Sequence, residues 1–307
     1  MAEVITFGET MAVITPNEEG RLGDVGSFGL TIAGAESNTA IGLARLGHRT
    51  AWISALGEDE LGRYVLDKIT GEGVDTSLVL RDKKHRTGLM IKEFKQGETS
   101  VYYYREGSAL SHFSPSMIPW DRLEEAKIIH LSGITPLLSE SCKETVKALF
   151  KYAKEKGKLI SFDPNLRPKL YGDNDPRGEI AELTLSSDIA LLGINEAKSL
   201  FGLSDPDSII SHLASRGVSY IALKDGERGA YCYHSGRTFF IPPFPCNSVD
   251  PVGAGDGFGA GFLAGILEQR DISECGRMGG VVGAMATETP GDTDGYPTKE
   301  MLKDRLK

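Results

Sequence analysis

Residues 250–262 read DPVGAGDGFGAGF, the most informative stretch of this chain. Asp256 follows a Gly-Ala-Gly turn, at the predicted start of a helix. Glycine at 253 and 255 allows the backbone to turn tightly and to approach a ligand closely. The amides of Ala254, Gly255 and Asp256 are then predicted to be unpaired first-turn donors, which suit an anion. An acid at this point can take a proton from a hydroxyl while the amides hold a phosphoryl group.

A plain helix cap is the alternative interpretation of Asp256, because aspartate commonly caps the first amides of a helix. The predicted helix, however, contains glycine at 257, 259, 261 and 265. Each glycine inside a helix costs about 1 kcal/mol relative to alanine. Close packing against a neighbouring element or a ligand explains such a cost, and a surface cap does not. The stretch therefore favours a functional site.

The composition excludes several classes of function. The 307 residues are 40% hydrophobic and 25% charged, as in ordinary globular proteins, and the length suits one large α/β domain with an appendage or two domains. A net charge of −9 argues against general binding to nucleic acid or membrane surfaces. The four cysteines lack metal-binding spacing, which is typical of free thiols in a reducing compartment. Because the N-terminus lacks a signal-peptide pattern, we expect a cytoplasmic protein.

Short apolar runs alternate with helical patterns along most of the chain. Strands are predicted at 4–7, 51–55, 128–131, 159–162, 189–192 and 220–223, and helices at 36–46, 59–71, 139–156, 176–186, 195–201 and 206–215. This alternation indicates βαβ units, an α/β fold and a mainly parallel sheet. Segments 11–33 and 87–105 break the rhythm and read as β structure, the second with a hairpin turn at 95–98. We expect them to form a small sheet that projects from the main domain.

Two motifs together resemble one protein family. GAESNTAIGLARLG at 34–47 and DPVGAGDGFGAG at 250–261 are similar to the two signatures of the ribokinase, or phosphofructokinase-B, sugar kinases, in the same order. The resemblance covers essentially the whole chain. It implies a single three-layer αβα domain over residues 1–307, a β-sheet lid over the sugar site, and ATP with Mg²⁺ as cofactors. Within the family, YYYREGSAL at 102–110 is most similar to 2-keto-3-deoxygluconate kinases.

The predicted sugar site combines several segments. Gly34 permits close approach to a ligand, although the family pattern begins Gly-Gly and this chain has Ala33 at the first position. Asn38 offers a donor and an acceptor to substrate hydroxyls, and its alternative role is to cap the helix. Tyr103 and Arg105 share one face of a predicted strand, where arginine suits a carboxylate. Other substrate contacts are predicted at Arg167, in the turn FDPNLR after a strand, and, by resemblance, at Asp292. The structural alternatives are that Tyr103 is an ordinary aromatic side chain of a sheet, and that FDPNLR is a plain turn in which Arg167 is solvated.

The predicted nucleotide site follows mostly from the resemblance. Its residues are Asn165, Asn195, Lys224, Gly226, Gly229 and Gly255, of which Lys224, Gly226 and Gly229 lie in a loop that otherwise reads as a plain hairpin turn. Many family members carry Asn-x-x-Glu at the magnesium site, whereas this chain has Asn195 followed by Glu196, Ala197 and Lys198. No protein ligand to the metal is therefore predicted, and either Glu196 substitutes or ATP and water hold the ion.

These patterns predict an ATP-dependent kinase for an acid sugar, 2-keto-3-deoxygluconate. Asp256 is the predicted general base for the terminal primary hydroxyl, and the backbone at Gly253, Ala254 and Gly255 is predicted to stabilise the γ-phosphoryl group. A neutral-sugar kinase is the nearest alternative. A dehydrogenase is a weaker one, because the G-x-G-x-x-A match at 259–264 lies inside a predicted helix and not after the first strand. A non-catalytic sensor is a third alternative, but binding alone does not need the acid. Exposed tyrosines at 102 or 104 predict a homo-oligomer formed through the lid.

Overall fold

A computed structural model describes residues 2–171 and 175–307. The strands are β1 (Val4–Phe7), β2 (Met11–Pro16), β3 (Phe28–Ala33), β4 (Thr50–Gly57), β5 (Val79–Asp82), β6 (Leu89–Lys95), β7 (Glu98–Tyr104), β8 (Ile128–Ser132), β9 (Leu159–Asp163), β10 (Ile189–Gly193), β11 (Tyr220–Lys224), β12 (Ala230–His234) and β13 (Arg237–Ile241). The helices are α1 (Ala35–Arg45), α2 (Glu60–Gly71), α3 (Glu140–Lys156), α4 (Arg177–Ser186), α5 (Ile194–Phe201), α6 (Pro206–Ser215), α7 (Ala254–Leu267), α8 (Ile272–Ala286) and α9 (Lys299–Arg305).

The main sheet has the order β13-β12-β11-β10-β9-β8-β1-β4-β5. Pairing is parallel from β11 to β5, and antiparallel only where β12 and β13 close one edge. Each predicted strand and helix of the alternating region is confirmed, with ends that differ by one or two residues. Sequence reasoning missed β5, β13 and α9, which are short and weakly patterned.

Helices cover both faces of this sheet. Val4 of β1 lies in one apolar cluster with Phe258 and Phe262 of α7, whereas the next residue, Ile5, lies in a second cluster with Val146 of α3. Successive side chains of a strand point to opposite faces, so the two clusters are two cores on either side of the sheet. The predicted α/β arrangement with a mainly parallel sheet is confirmed.

The four-stranded second sheet has the order β3-β2-β6-β7 and is called the lid here. Its strands fall inside the two segments predicted to form a projecting sheet. The β6–β7 hairpin turns through Gln96 and Gly97, with φ of 55° and 75°. Two positive φ angles are typical of the tight hairpin turn that the sequence predicted.

Close packing explains the glycines of α7. A Cβ on Gly261 would lie 2.6 Å from the carbonyl oxygen of Met278, and one on Gly265 would lie 2.8 Å from the Cα of Cys275, both in α8. The helix cost of these glycines is therefore offset by the near contact of α7 with α8. Within residues 2–171 and 175–307, no helix has the length and apolar character that crossing a membrane requires.

Candidate active site

A cavity of about 890 Å³ lies between the lid and the carboxyl ends of the parallel strands. Ligands of doubly wound sheets bind at this edge, because the connections diverge there. The predicted site residues that line it are Gly34, Asn38, Tyr103, Arg105, Asn165, Arg167, Lys224, Gly253, Gly255, Asp256 and Asp292. Residues separated by as many as 258 positions in sequence thus meet around one space.

Asp256 lies in the first turn of α7 and faces Asn38 of α1. The Asn38 side-chain amide donates to Asp256 Oδ2 at 2.8 Å and to Asp292 Oδ2 at 3.2 Å. Burial raises the pKa of Asp256 to about 7, with Asp163 and Asp292 adding to the rise and the Asn38 hydrogen bond opposing it. A carboxyl group with this pKa can accept a proton near neutral pH, as a general base must.

Asn38 also has a hydrogen-bond acceptor without a partner. It is only 1% exposed, and its Oδ1 finds no hydrogen-bond partner among the described residues. A buried amide oxygen without a partner is costly, and a ligand hydroxyl would satisfy it. The predicted role of Asn38 at a substrate hydroxyl fits this atom.

The amides at the start of α7 are only partly available. Gly253 has φ of 78°, and a Cβ there would overlap the backbone carbonyl oxygen of Asp292, so glycine is required. The Ala254 amide donates to Pro251 O at 3.3 Å. The prediction that the Ala254 amide is unpaired is therefore wrong, because the turn into the helix uses it. In the part of the chain that the structure describes, the amides of Gly255 and Asp256 make no hydrogen bond.

Lys224, at the end of β11, lies beside the start of α7. Its Nζ contacts Asp163 Oδ2 at 2.7 Å and lies 3.6 Å from where a Cβ on Gly255 would be. Burial opposes the charge of Lys224, but Asp163, Glu196 and Asp256 together raise its pKa. The ammonium therefore stays charged at the point where α7 begins, which is a suitable place for an anion.

Other residues predicted for the nucleotide lie at different distances from the cavity. Asn165 lines the cavity in a left-handed backbone conformation, with φ of 39°. Its backbone amide donates to Asp163 Oδ1 at 3.0 Å. Asn195, Gly226 and Gly229 do not line the cavity, and Asn195 is exposed on α5. Their contact with a nucleotide stays a prediction.

Tyr103 and Arg105 both face the cavity, as the alternation along the strand predicts, while Tyr102 and Tyr104 point away from it. Arg105 is nevertheless already paired. Its Nε and Nη2 lie 2.7 and 2.6 Å from Glu9 Oε2, and the two side chains are only 10% and 2% exposed. Ser108 donates to the other oxygen of Glu9. The arginine is therefore held firmly in place, and its charge is offset before any substrate arrives.

Sequence reasoning missed Glu9 and assigned no role to Glu36, and both are buried carboxylates that line the cavity. Glu36 accepts from Ser132 at 2.7 Å and from Thr135 at 2.6 Å, and burial raises its pKa. Nothing in the local sequence indicates burial, because the partners of Glu36 are about 100 residues away. The signal for Glu9 was its position at the carboxyl end of β1, where side chains meet the ligand edge.

The donor set fits a magnesium ion that is carried mainly by a nucleotide. In residues 2–171 and 175–307, no group of three or more His, Cys, Asp and Glu side chains forms a metal site. Glu196 accepts from the amides of Leu166 and Gly193, each at 2.8 Å, and Asp163 is held by Lys224. Mg²⁺ commonly binds through phosphates, waters and one or two carboxylates, which this arrangement allows.

Comparison with known proteins defines the class first. Residues 1–299 match the pfkB family of carbohydrate kinases, and the chain belongs to that family. It is a carbohydrate kinase with the ribokinase-like fold that the two sequence motifs implied.

The similarity extends to particular relatives. The chain is 39% identical to a 2-dehydro-3-deoxygluconokinase of Bacillus subtilis, over 98% of this chain and 94% of that protein. A crystal structure of a PfkB protein from Polaromonas sp. shares 34% identity and a TM-score of 0.91, with 99% of both chains covered. A sugar kinase from Pyrococcus horikoshii, crystallised in complex with ATP, shares 29% identity and a TM-score of 0.83, over 98% and 97% of the two chains.

Proposed function

We propose that this kinase transfers the γ-phosphoryl group of ATP to the terminal primary hydroxyl of 2-dehydro-3-deoxygluconate, also called 2-keto-3-deoxygluconate. The observation that carries the proposal is Asp256 at the cavity wall with a pKa of about 7, beside unpaired amides and a lysine. The similarity to the Bacillus subtilis 2-dehydro-3-deoxygluconokinase supports the choice of substrate.

Asp256 is the proposed general base. Its carboxylate takes the proton of the sugar hydroxyl as that oxygen bonds to the γ-phosphorus and the bond to the ADP oxygen breaks. Asn38 holds Asp256 Oδ2 at 2.8 Å, which leaves Oδ1 to face the hydroxyl. The hydrogen bond also favours the ionised form, so the base is ready near neutral pH.

The phosphates of the nucleotide are proposed to bind at the start of α7. The amides of Gly255 and Asp256 and the ammonium of Lys224 would hold the charge that develops on the transferred group. Mg²⁺ bound with ATP would neutralise the phosphates further. The ATP complex of the related Pyrococcus horikoshii kinase supports ATP as the donor. We propose nucleotide contacts at Asn165, Asn195, Gly226 and Gly229 from the family resemblance.

The acid sugar is proposed to lie under the lid. Gly34 lines the cavity, and a Cβ there would lie 2.6 Å from Glu9 O, so glycine fits the packing at this point. Asn38 and Asp292 would bind hydroxyls. Tyr103 packs against Arg105, with the guanidinium 5.9 Å from the ring centroid. In the described structure Arg105 Nη1 has no hydrogen bond, so it can still donate to a substrate.

A neutral sugar, fructose or ribose, is the second candidate, and the Glu9–Arg105 pair favours it. A paired arginine attracts a carboxylate less strongly than an unpaired one. ATP consumption separates the two candidates when it is measured with 2-dehydro-3-deoxygluconate, fructose and ribose. We expect the highest kcat/KM for the acid sugar. A higher kcat/KM for fructose or ribose would overturn the substrate and leave only the kinase class.

We also propose that the lid joins copies of this chain. Tyr102 and Tyr104 are 43% and 62% exposed on the face of β7 that points away from the cavity. Phe28 on the opposite edge strand, β3, is exposed as well. Exposed aromatic side chains on sheet edges favour association with a second copy.

A further inference from the structure

The inner face of the lid carries one cation in an apolar row. Met90, Lys92 and Phe94 alternate along β6 and all line the cavity. The cross-strand neighbour of Lys92 is Val101, which also lines the cavity. A lysine in such a row shields its stem with apolar neighbours and presents its ammonium group to whatever occupies the cavity.

Pairing divides the cations of the cavity into two kinds. Four cationic side chains line it in the described part of the chain, namely Lys92, Arg105, Arg167 and Lys224. Arg105 is held by Glu9 and Lys224 by Asp163, each within 2.7 Å. Neither Lys92 nor Arg167 has a carboxylate within 4.0 Å among residues 2–171 and 175–307. Lys92 and Arg167 are therefore the cavity-lining cations that form no ion pair in the described part of the chain.

Lys92 and Arg167 line the cavity from two different parts of the fold. Lys92 projects from the lid, and Arg167 follows β9 at the carboxyl edge of the main sheet. Burial raises the pKa of Asp292, and both cations act on that carboxyl to lower it. Asp292 in turn shares the Asn38 amide with Asp256. Both cations therefore lie near enough to Asp292 to act on its carboxyl group.

We propose that Lys92 determines the preference of this kinase for an acid sugar, by binding the substrate carboxylate from the lid while Arg167 binds it from the main domain. The inference rests on the proposed function and names the specificity-determining residue for it. Arg105, whose charge Glu9 offsets, then contributes a hydrogen bond.

Lys92→Met tests the proposal, because methionine keeps the apolar stem and matches its neighbours Met90 and Phe94. We expect KM for 2-dehydro-3-deoxygluconate to rise about 10- to 100-fold, because the substitution removes a charge-assisted hydrogen bond from a covered site. The KM for ATP and the kcat/KM for fructose should change less than about twofold, since neither involves a substrate carboxylate. Lys92→Arg should restore most of the acid preference.

Lys95→Met is the matched control, since Lys95 ends the same strand but does not line the cavity. It should leave every constant unchanged. If Lys92→Met lowers thermal stability, Lys92→Gln replaces it in the same assays. An unchanged ratio of kcat/KM for acid over neutral sugar in the stable variant would overturn the proposal for Lys92. A wild-type enzyme that prefers fructose would instead overturn the proposed function, so the two failures are distinguishable.

Discussion

We predict that Asp256, the proposed general base, sets the acid limb of the pH–activity profile. Its protonated form cannot accept the hydroxyl proton, so kcat/KM is lost as pH falls through the pKa of about 7. With that pKa, kcat/KM at pH 6 is expected to be about one tenth of its plateau value, following the fraction of carboxylate. An aspartate with the ordinary value of 3.8 would show no loss at pH 6.

Asn38→Ala moves that limb in a calculable direction. It removes the donor 2.8 Å from Asp256 Oδ2, which favours the ionised form. A hydrogen bond to a charged group contributes about 1.5–3 kcal/mol, and 1.36 kcal/mol corresponds to one pKa unit. The midpoint should therefore rise by about 1 to 2 pH units. Wild type and variant are compared in one assay, so that titration of ATP affects both equally. A midpoint near pH 4 in wild type, or an unshifted midpoint in the variant, would refute the assignment.

Four further predictions use other measurements. Asp256→Asn should raise the free energy of unfolding by as much as about 4 kcal/mol at pH 8 and by nothing below about pH 4, because the buried charge costs stability only as pH rises from 3.8 through about 7. Chemical denaturation at both pH values checks this. Gly253→Ala should lower the free energy of unfolding by about 2 kcal/mol or more and abolish turnover, since it strains a left-handed residue against Asp292. The control Gly178→Ala, which adds a Cβ in open space, should leave the melting temperature unchanged. Arg105→Ala should raise KM for the acid sugar and also lower the melting temperature, because it leaves Glu9 buried and unpaired; an unchanged melting temperature contradicts the pair. Wild type should sediment as an oligomer at micromolar concentration and the Tyr104→Glu variant as a monomer. A wild type that is monomeric at that concentration rejects the lid interface.

The sequence predicted those features that depend on local patterns. Alternating apolar runs and helical periods give the parallel sheet, and the Gly-Ala-Gly turn before Asp256 gives the start of α7. The period of two along β7 placed Tyr103 toward the cavity and Tyr104 away from it. These features depend on the residues of one segment at a time, so each can be predicted from that segment alone.

Features that depend on distant partners were beyond such reasoning. The Glu9–Arg105 pair joins residues 96 positions apart, and no local pattern near either residue indicates that their charges cancel. Ala254 fits an anion-binding turn by type, but its amide is taken by Pro251 O, a detail of turn geometry. Lys92 was accessible in principle, because the alternation that placed Tyr103 also applies to β6.

The transfer step itself gives the most direct test of Asp256 as general base. The measurement is the formation of phosphorylated sugar from ATP and 2-dehydro-3-deoxygluconate by wild type, Asp256→Asn and the control Asp207→Asn, which changes an exposed aspartate in the first turn of α6. We predict one phosphorylated sugar per ADP for wild type and control. For Asp256→Asn we predict a fall in kcat of about 10²- to 10⁴-fold, with the KM for both substrates little changed. A kcat near that of wild type in Asp256→Asn would contradict the account.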